Sequence, residues 1–332
     1  MTRESSTSGR AGTTADDVRV AIVGAGSIGV AWSIVFARAG HPVAVFDVDA
    51  HRAAQVLSGV RSRLQDLARF GLLDAHERID DIVGRISIAP QLADVTAGAG
   101  YVQECAAESL DIKRAVFAEL DGLCGAQAVL ASSSSMIAAS RFAAGLPGQS
   151  RCLVVHPGNP PYLLPIAEVV PAPFTAPWAT ERSIDLLSAA GMVPVHVRRE
   201  VEGFVFNRLQ GALLREAYCL VRDGVASPTD IDTVVREGLG RRWGVLGPFA
   251  TSDLNTRGGI ERHAAVMGPA YERMGAERGQ HDPWTEDLVA AVAADLHRLQ
   301  PLAKWEENVA RRDRMMMALL AAQRAAIRDE SE

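Results

Sequence analysis

The feature that most constrains the fold is a glycine-rich segment, GAGSIG, that directly follows a short β-branched run. It places Gly24, Gly26 and Gly29 between the run VRVAIV and a stretch of helical periodicity that begins at Ser27. Glycines at this spacing allow a tight turn, a close approach of the backbone to a phosphate, and close packing of the helix on the strand. The amides at the helix start, at Ser27 and Ile28, would then face a pyrophosphate. The segment therefore predicts the strand, turn and helix of a dinucleotide-binding unit.

An acidic residue at the end of the second predicted strand narrows the choice of dinucleotide. Asp47 ends the run PVAVFD, 23 residues after Gly24, where its carboxylate can accept hydrogen bonds from the ribose hydroxyls of an adenosine. The same carboxylate would repel the extra phosphate of NADP, so the sequence favours NAD. Arg52 follows closely enough to leave NADP open. A glycine-rich turn in an unrelated α/β fold is the alternative explanation.

Alternating strand and helix signals extend over about the first two hundred residues. Further short apolar runs follow the first two, at residues 86–89, 101–105, 128–132, 152–156, 166–170 and 194–198. With helices from Ser27 to about Ala39 and from about Ala50 to Arg69, they predict one mostly parallel sheet of about eight strands. We therefore expect an α/β fold with a Rossmann-like domain over residues 17–200. A Ser-, Thr- and Gly-rich tail at residues 1–16 is expected to be disordered.

After about residue 200 the alternation stops and helical periodicity dominates, as in GFVFNRLQGALLREAYCLVRDG and TEDLVAAVAADLHRLQ. We expect a second, all-α domain over residues 201–332. The apolar faces of such long helices need a partner surface in a domain of this size. The pattern therefore predicts a homodimer formed through the helical domain.

Composition excludes several other classes of function. A formal net charge of −6 over 332 residues gives no basic patch suited to nucleic acid or to an anionic membrane surface. The uncharged segment from Val20 to Ala37 is composed like a secretion signal, but Asp16 and Asp17 precede it and glycines interrupt it. We therefore expect a cytoplasmic protein that acts on small molecules and has buried, free cysteine thiols. The histidines show no ligand spacing, so no metal site is predicted.

Two ionisable residues in adjacent apolar runs suggest an acid–base site. His156 ends the run CLVVH, at the edge of the sheet where ligands bind, and Glu168 lies inside the next run, IAEVV. A carboxylate in an apolar strand is costly unless it is paired. Pairing with His156 would fix the imidazole tautomer and raise its basicity, as removal of a proton from an alcohol requires. A hydrogen-bonded core histidine is the alternative, which the neighbouring carboxylate disfavours.

Polar residues on two other segments are candidates to meet a substrate. The run ASSSS follows a predicted strand, where its hydroxyls either face the ligand or cap the next helix. The residues alone decide neither between these roles nor among the four serines. Asn207 lies in the otherwise apolar stretch GFVFNRL, so its amide needs a partner, either a ligand or an interdomain hydrogen bond.

Taken together, these segments resemble the 3-hydroxyacyl-CoA dehydrogenase superfamily over nearly the whole chain after the tail, and within it the L-gulonate 3-dehydrogenase, or lambda-crystallin, branch. The matching segments are GAGSIG, YVQECAAESLDIK, ASSSS, HPGNPPYLLPIAEVVP, GFVFNRLQGALLREAYCLVRDGVASPTDID and EGLGRRWGVLGP. The resemblance implies a catalytic dyad, an active-site serine and asparagine, and cofactor contacts near the nicotinamide. These are His156 and Glu168 for the dyad, Ser135 and Asn207 for the active site, and Glu108, Lys113 and Ser135 for the cofactor.

The branch of the family bears on the substrate. EGLGRRWGVLGP is longer than the corresponding acyl-CoA segment, which implies a small free acid whose carboxylate Arg242 would bind with two hydrogen bonds. An exposed arginine with no substrate role is the alternative. Gly158 stands where gulonate dehydrogenases carry a larger residue, and the serine run lacks the usual threonine.

The resulting expectation is an NAD-dependent dehydrogenase that oxidises the 3-hydroxyl of a small, L-gulonate-like 3-hydroxy acid to the 3-oxo acid. Two other functions stay open. One is a short-chain 3-hydroxyacyl-CoA dehydrogenase that uses the same residues on a thioester. The other is a non-catalytic, crystallin-like NAD-binding structural protein, against which the presence of all four implied active-site residues argues.

Overall fold

A computed structural model describes residues 18–280 and 285–305, together with residues 307, 308, 311, 315, 322 and 325. The predicted tail at residues 1–16 lies outside the described residues. The chain divides into two units, the first ending at Leu213 and the second beginning at Leu214. The helix Phe206–Arg222 crosses this division. The domain boundary at residue 200 therefore stays a prediction.

The first unit alternates strands with helices, as the sequence predicts. Its strands are β1 (Val20–Val23), β2 (Val43–Phe46), β3 (Ile86–Ile88), β4 (Tyr101–Glu104), β5 (Val129–Ser132), β6 (Cys152–Pro157), β7 (Ile166–Pro171) and β8 (Val193–His196). Its helices are α1 (Ser27–Arg38), α2 (Ala50–Ala54), α3 (Val56–Arg69), α4 (Ile79–Gly84), α5 (Leu92–Thr96), α6 (Leu110–Leu123), α7 (Ala139–Phe142) and α8 (Pro177–Ala189), and α9 (Phe206–Arg222) begins in this unit.

The strands of the described residues form one eight-stranded sheet in the order β3-β2-β1-β4-β5-β6-β7-β8. Neighbours from β3 to β6 are parallel, whereas β7 runs antiparallel to β6 and β8 is parallel to β7. The connection from Pro157 to Ile166 is too short for a parallel crossover, which needs a dozen or more residues. The chain therefore turns straight back, and the resulting register places His156 directly opposite Glu168.

The sheet is buried on both faces, which explains why its strands read as continuous apolar runs. All four residues of β1 are buried, and they alternate between two cores. Val20 and Ile22 face a core that includes side chains of α1, α3 and α8. Ala21 and Val23 face a second core that includes side chains of α5, α6 and α7. Helices on both sides thus fix the strand ends at which the polar residues lie.

One predicted helix is two helices in the structure. The sequence predicts a continuous helix from about Ala50 to Arg69, but α2 ends at Ala54 and α3 begins at Val56. Between them Gln55 has a ψ of −8°, and its amide donates to the carbonyl of Arg52 at 3.2 Å. This tightened i to i+3 turn redirects the chain without breaking the helical periodicity on which the prediction relied.

The second unit is helical over its described residues, as predicted. Its helices are α10 (Pro228–Val234), α11 (Gly240–Trp243), α12 (Pro248–Asn255), α13 (Gly259–Glu277) and α14 (Glu286–Leu299), with a π-helical turn at Val235–Leu239 and a 3₁₀ turn at Leu302–Lys304. In the part of the chain that is described, no helix combines the length and apolar character needed to cross a membrane.

The four cysteines are all described and all are free thiols, but only two of them are buried as predicted. Cys124 and Cys152 are buried, whereas Cys105 and Cys219 are partly exposed. Burial is the main cause that raises the pKa of Cys124 to about 11 and the pKa of Cys152 to about 12. Both buried thiols are therefore protonated at neutral pH and poor nucleophiles.

Candidate active site

The glycine-rich turn has the geometry that the sequence predicts for it. Gly24 has a φ of +108°, and a Cβ added there would lie 2.6 Å from the carbonyl oxygen of Cys105. A Cβ at Gly29 would overlap the carbonyl oxygen of Gly24, whereas a Cβ at Gly26 would point into open space. Two of the glycines are thus required by the backbone. The third leaves room beside the start of α1, where a phosphate would meet free amides.

Asp47 lies at the carboxyl end of β2 with its side chain only 3% exposed. Its Oδ2 accepts from the amide of Ala25 at 2.7 Å and its Oδ1 from the amide of Asp49 at 2.8 Å. The carboxylate is thus fixed next to the glycine-rich turn, where it can still accept from ribose hydroxyls. Nη1 of Arg52 lies 3.4 Å from Oδ2, so the arginine partly balances the charge.

A cavity of about 500 Å³ adjoins this turn. Its lining residues are Ala25, Gly26, Ser27, Val30, Arg52, Gln55, Val56, Ser58, Gly59 and Arg63. The open space at Gly26, the fixed carboxylate of Asp47 and this cavity together fit a dinucleotide. Among the described residues, no group of three or more His, Cys, Asp and Glu side chains could hold a metal ion.

His156 and Glu168 form a hydrogen-bonded pair at the carboxyl end of β6. Nδ1 of His156 lies 2.8 Å from Oε2 of Glu168, and the two residues are 8% and 2% exposed. An ionised carboxylate only accepts, so Nδ1 carries a proton, and in the neutral imidazole Nε2 is then the nitrogen with the free lone pair. Among the described residues, no hydrogen-bond partner contacts Nε2. In the neutral ring, Nε2 is therefore the nitrogen available to a ligand.

The second oxygen of Glu168 fixes the start of α9. Oε1 accepts from the amides of Val205 at 2.7 Å and Phe206 at 2.9 Å. Burial by itself would raise the pKa of Glu168, but the hydrogen bond from His156 and these two amides hold that pKa below its usual value. Glu168 is therefore ionised at neutral pH, as the tautomer of His156 requires.

The four consecutive serines, among which the residues alone could not choose, lie in different surroundings. Three of the hydroxyls are engaged by side chains of the protein. Ser132 donates to Glu104 at 2.5 Å, Ser133 accepts from Trp32 at 3.1 Å and from Gln103 at 2.7 Å, and Ser134 donates to Glu108 at 2.6 Å. Ser134 also accepts from the amide of Ile137 at 2.8 Å, but α7 begins at Ala139 without a side-chain cap, so none of the four serines caps it.

Ser135 differs from the other three serines. Its amide donates to Oε1 of Glu108 at 3.0 Å, and its carbonyl oxygen accepts from Nδ2 of Asn207 at 2.9 Å. No hydrogen bond from its hydroxyl to another described residue is present. The structure thus joins Ser135 and Asn207 through the backbone and leaves the Ser135 hydroxyl available, at the position that the family resemblance implies.

Lys113 and its partner Glu104 form a second buried pair near the serines. The side chain of Lys113 is 1% exposed and that of Glu104 is 0% exposed, with Nζ 3.0 Å from Oε2. Sequence reasoning missed Glu104. The argument that selected Glu168, a carboxylate within an apolar strand that needs a partner, applies equally to the run YVQEC.

Arg242 lies in α11 of the second unit and is exposed. Among the described side chains none pairs with its guanidinium, which leaves it free to bind an anion. Its role as a carboxylate clamp stays a prediction.

Two family models match this chain, one over the part with alternating strands and helices and one over the helical part. The family model described as 3-hydroxyacyl-CoA dehydrogenase, NAD binding domain, matches residues 19–201. The model described as 3-hydroxyacyl-CoA dehydrogenase, C-terminal domain, matches residues 203–302. The two matches together span most of the chain.

Individual relatives cover nearly the same length. The human lambda-crystallin homolog is 35% identical over 299 residues, or 87% of this chain and 93% of that protein. L-carnitine dehydrogenase of Streptomyces griseus is 34% identical over 317 residues, or 92% of this chain and 90% of that protein. The solved structure of 5-formyl-3-hydroxy-2-methylpyridine 4-carboxylic acid 5-dehydrogenase, an NAD⁺-dependent dismutase, has a TM-score of 0.68 at 27% identity and covers 91% of this chain and 98% of that one.

Proposed function

Since the chain belongs to the 3-hydroxyacyl-CoA dehydrogenase family, we propose that it oxidises the 3-hydroxyl of a small 3-hydroxy acid, with His156 as the general base. Family membership makes it an NAD-dependent oxidoreductase that acts on a CH–OH group. The observation that carries the proposal is the 2.8 Å pair of His156 and Glu168, because it leaves Nε2 of a fixed imidazole free at the carboxyl edge of the sheet.

In the proposed mechanism, the substrate hydroxyl donates to Nε2 of His156 and is held by the hydroxyl of Ser135 and the amide of Asn207. Bound NAD would supply the hydride acceptor for the carbinol carbon. His156 takes the hydroxyl proton as the carbonyl forms. The imidazolium that results is stabilised by Glu168, which has no proton to give because its pKa is lowered.

Different residues would bind the pyrophosphate, the adenosine ribose and the nicotinamide end of NAD. Gly24, Gly26 and Gly29, with the amides of Ser27 and Ile28, would bind the pyrophosphate. Asp47 would accept from the adenosine ribose, which favours NAD over NADP. Glu108 would act at the nicotinamide end, where it already contacts the segment that contains Ser135, and the buried Lys113 lies behind it, 3.4 Å from its Oε2.

For the substrate we propose a free carboxylic acid like L-gulonate. Two relatives are named for free acids or their derivatives, L-carnitine and a pyridine carboxylic acid. Arg242 would bind the carboxylate, since a guanidinium matches a carboxylate with two parallel hydrogen bonds. A short-chain 3-hydroxyacyl-CoA thioester is the second candidate, favoured by the names of both family models.

We also propose that the active form is a cytoplasmic homodimer that associates through the helical unit. Of the described residues of α10 and α11, none is buried. Large apolar side chains in the second unit are exposed, among them Tyr218 (75%), Val225 (67%) and Val234 (63%). Exposed apolar surface of this kind is typical of an interface. Sedimentation velocity of the wild type should give twice the monomer mass, and the Tyr218→Asp variant should give a lower mass. A monomeric wild type would contradict the proposal.

The experiment that tests the proposed substrate compares L-gulonate, L-3-hydroxybutyrate and 3-hydroxybutyryl-CoA, each offered with NAD, by following NADH at 340 nm. The proposal expects turnover of a free acid, with KM raised at least about tenfold in Arg242→Met while kcat changes little, because one charge-assisted contact is lost. Turnover of the thioester alone would replace the free acid with the acyl-CoA alternative. No turnover by any compound with NAD, under conditions where NADH binds, would contradict the proposal.

A further inference from the structure

We propose that Glu104, Lys113 and Glu108 form a relay, a chain of ion pairs and hydrogen bonds, that positions Ser135 for the reaction. In this view Glu104 and Lys113 are positioning residues that act through Glu108 and touch neither substrate nor cofactor. The inference rests on the proposed function, because the position of Ser135 matters only if its hydroxyl meets the substrate. It also explains the presence of two fully buried charged residues, Glu104 and Lys113, that take no direct part in the proposed mechanism.

The inner end of the relay is the ion pair of Glu104 and Lys113. Nζ of Lys113 lies 3.2 Å and 3.0 Å from the two carboxylate oxygens of Glu104. Glu104 also accepts from the hydroxyl of Ser132 at 2.5 Å and from the amide of Ala106 at 2.7 Å. Each oxygen of the Glu104 carboxylate thus has two hydrogen-bond donors, as a charge removed from solvent requires.

The ammonium group of Lys113 links the inner pair to Glu108. Besides its contacts to Glu104, Nζ donates to the hydroxyl of Ser132 at 3.3 Å and forms an ion pair with Oε2 of Glu108 at 3.4 Å. The lysine side chain is 1% exposed, so little of it faces a ligand. The geometry therefore points to a group that fixes Glu108 in place, in contrast to the cofactor contact that the family resemblance implies for Lys113.

The outer end of the relay is Glu108, which binds three successive residues of the serine segment with one oxygen. Oε1 accepts from the hydroxyl of Ser134 at 2.6 Å and from the amides of Ser135 and Met136, each at 3.0 Å. Burial alone would raise the pKa of Glu108, but the hydrogen bond from Ser134 and the charge of Lys113 hold it below its usual value. The acceptor is therefore ionised and holds all three donors.

The relay fixes Ser135 from one side while Asn207 holds it from the other. The amide of Ser135 donates to Glu108, and its carbonyl oxygen accepts from Asn207. The backbone amide and carbonyl of Ser135 are thus both hydrogen-bonded. These two bonds restrict the backbone conformation of Ser135 and therefore the position of its hydroxyl. The side chain of Glu108 is 40% exposed. Without the Lys113 charge behind it, such a side chain would sample several rotamers, and the serine segment would follow.

Hydrogen exchange tests the relay in the absence of any substrate. In Glu108→Gln and Lys113→Met, the amides of Ser135 and Met136 should exchange at least about tenfold faster than in the wild type, because their acceptor is weakened or displaced. Unchanged exchange of these two amides in both folded variants would refute the relay. This result does not depend on which substrate is correct, so it stands even if the proposed function fails.

Steady-state kinetics distinguishes a positioning role from cofactor binding. The substrate is whichever of L-gulonate, L-3-hydroxybutyrate and 3-hydroxybutyryl-CoA the protein oxidises. We expect kcat of Lys113→Met to fall at least about tenfold, since small misplacements of a catalytic group are costly, while the Kd for NADH changes less than about twofold. A large loss of NADH affinity with kcat retained at saturating NAD would mean a cofactor contact and would overturn the relay. Lys304→Met, which removes the other lysine of the chain at an exposed position, is the matched control and should leave both values unchanged.

A double-mutant cycle shows whether the effect passes through Ser135. If it does, Lys113→Met should cost less than about twofold in kcat when introduced into Ser135→Ala, because the residue it positions is already gone. A full tenfold loss in that background would mean that Lys113 acts elsewhere. Glu108→Gln, which leaves the buried pair intact, replaces Lys113→Met in the cycle if that variant does not fold.

Discussion

Replacing Glu168 with glutamine should abolish most of the activity while leaving the fold intact, and the structure explains why. The carboxylate has one oxygen on Nδ1 of His156 and the other on the amides of Val205 and Phe206. A glutamine has one acceptor and one donor end. If its NH₂ group faced the two backbone amides, two hydrogen bonds would be lost. The carbonyl oxygen will therefore stay with the amides and the NH₂ group will face His156.

That orientation reverses the tautomer of the imidazole. A donor at Nδ1 forces the ring proton onto Nε2, which then cannot accept the proton of the substrate. The corresponding amide substitution in a serine-protease triad lowers kcat about 10⁴-fold through the wrong tautomer. We expect a loss of about 10³- to 10⁴-fold here, equivalent to roughly 4 to 5.5 kcal/mol in the activation free energy.

Stability should change much less than activity in Glu168→Gln. All three hydrogen bonds are kept, with the one to His156 reversed in direction, but they lose the charge of the carboxylate, a cost of roughly 1–2 kcal/mol in the free energy of unfolding. Glu200→Gln is the matched control, since Glu200 also accepts a backbone amide, from Ser140 at 2.9 Å. The assay is steady-state NADH formation, with circular dichroism and NADH titration on the same samples. A folded Glu168→Gln with kcat within tenfold of wild type would refute the tautomer argument.

Further predictions concern stability and the cofactor. Because the pKa of folded Glu168 lies below its usual value of 4.5, its ionised form stabilises the fold above that pH, and this stabilisation is lost as the pH falls through the lowered pKa. The difference in urea midpoint between wild type and Glu168→Gln should therefore shrink below pH 4.5. A difference that does not change with pH would contradict this prediction. Gly24→Ala should lower Tm by at least about 5 °C, from positive-φ strain and contact with Cys105, whereas Gly84→Ala in α4 should not. Asp47→Asn should shift the ratio of NAD to NADP affinity at least about tenfold toward NADP, by titration, because one repulsive charge is removed.

The parts of the fold that depend on local pattern could be predicted from the sequence. The glycine spacing, the apolar runs and the change to helical periodicity predicted the strands and the helical second unit. The pairing of His156 with Glu168 was also predictable, because a carboxylate inside an apolar strand requires a partner and a histidine ended the neighbouring run. That pair is observed at 2.8 Å.

Features that depend on distant contacts were not accessible in this way. Four identical serines differ only in their contacts with β4, α1, α6 and the segment between β4 and α6, so the hydroxyl left without a protein partner could be identified only in three dimensions. The division of the helix at Gln55 leaves the apolar periodicity unchanged and gives no sequence signal. The role of the second oxygen of Glu168, on the start of α9, is also set by tertiary structure.

The most direct test of the account is NADH formation by His156→Ala beside wild type, with His196→Ala as a control that removes an exposed histidine of β8. The account predicts that His156→Ala loses at least about 10³-fold in kcat, because the general base is gone, while the Kd for NADH stays within about twofold. His196→Ala should match wild type in both measurements. Near-normal turnover by folded His156→Ala would contradict the assignment of His156 as the base.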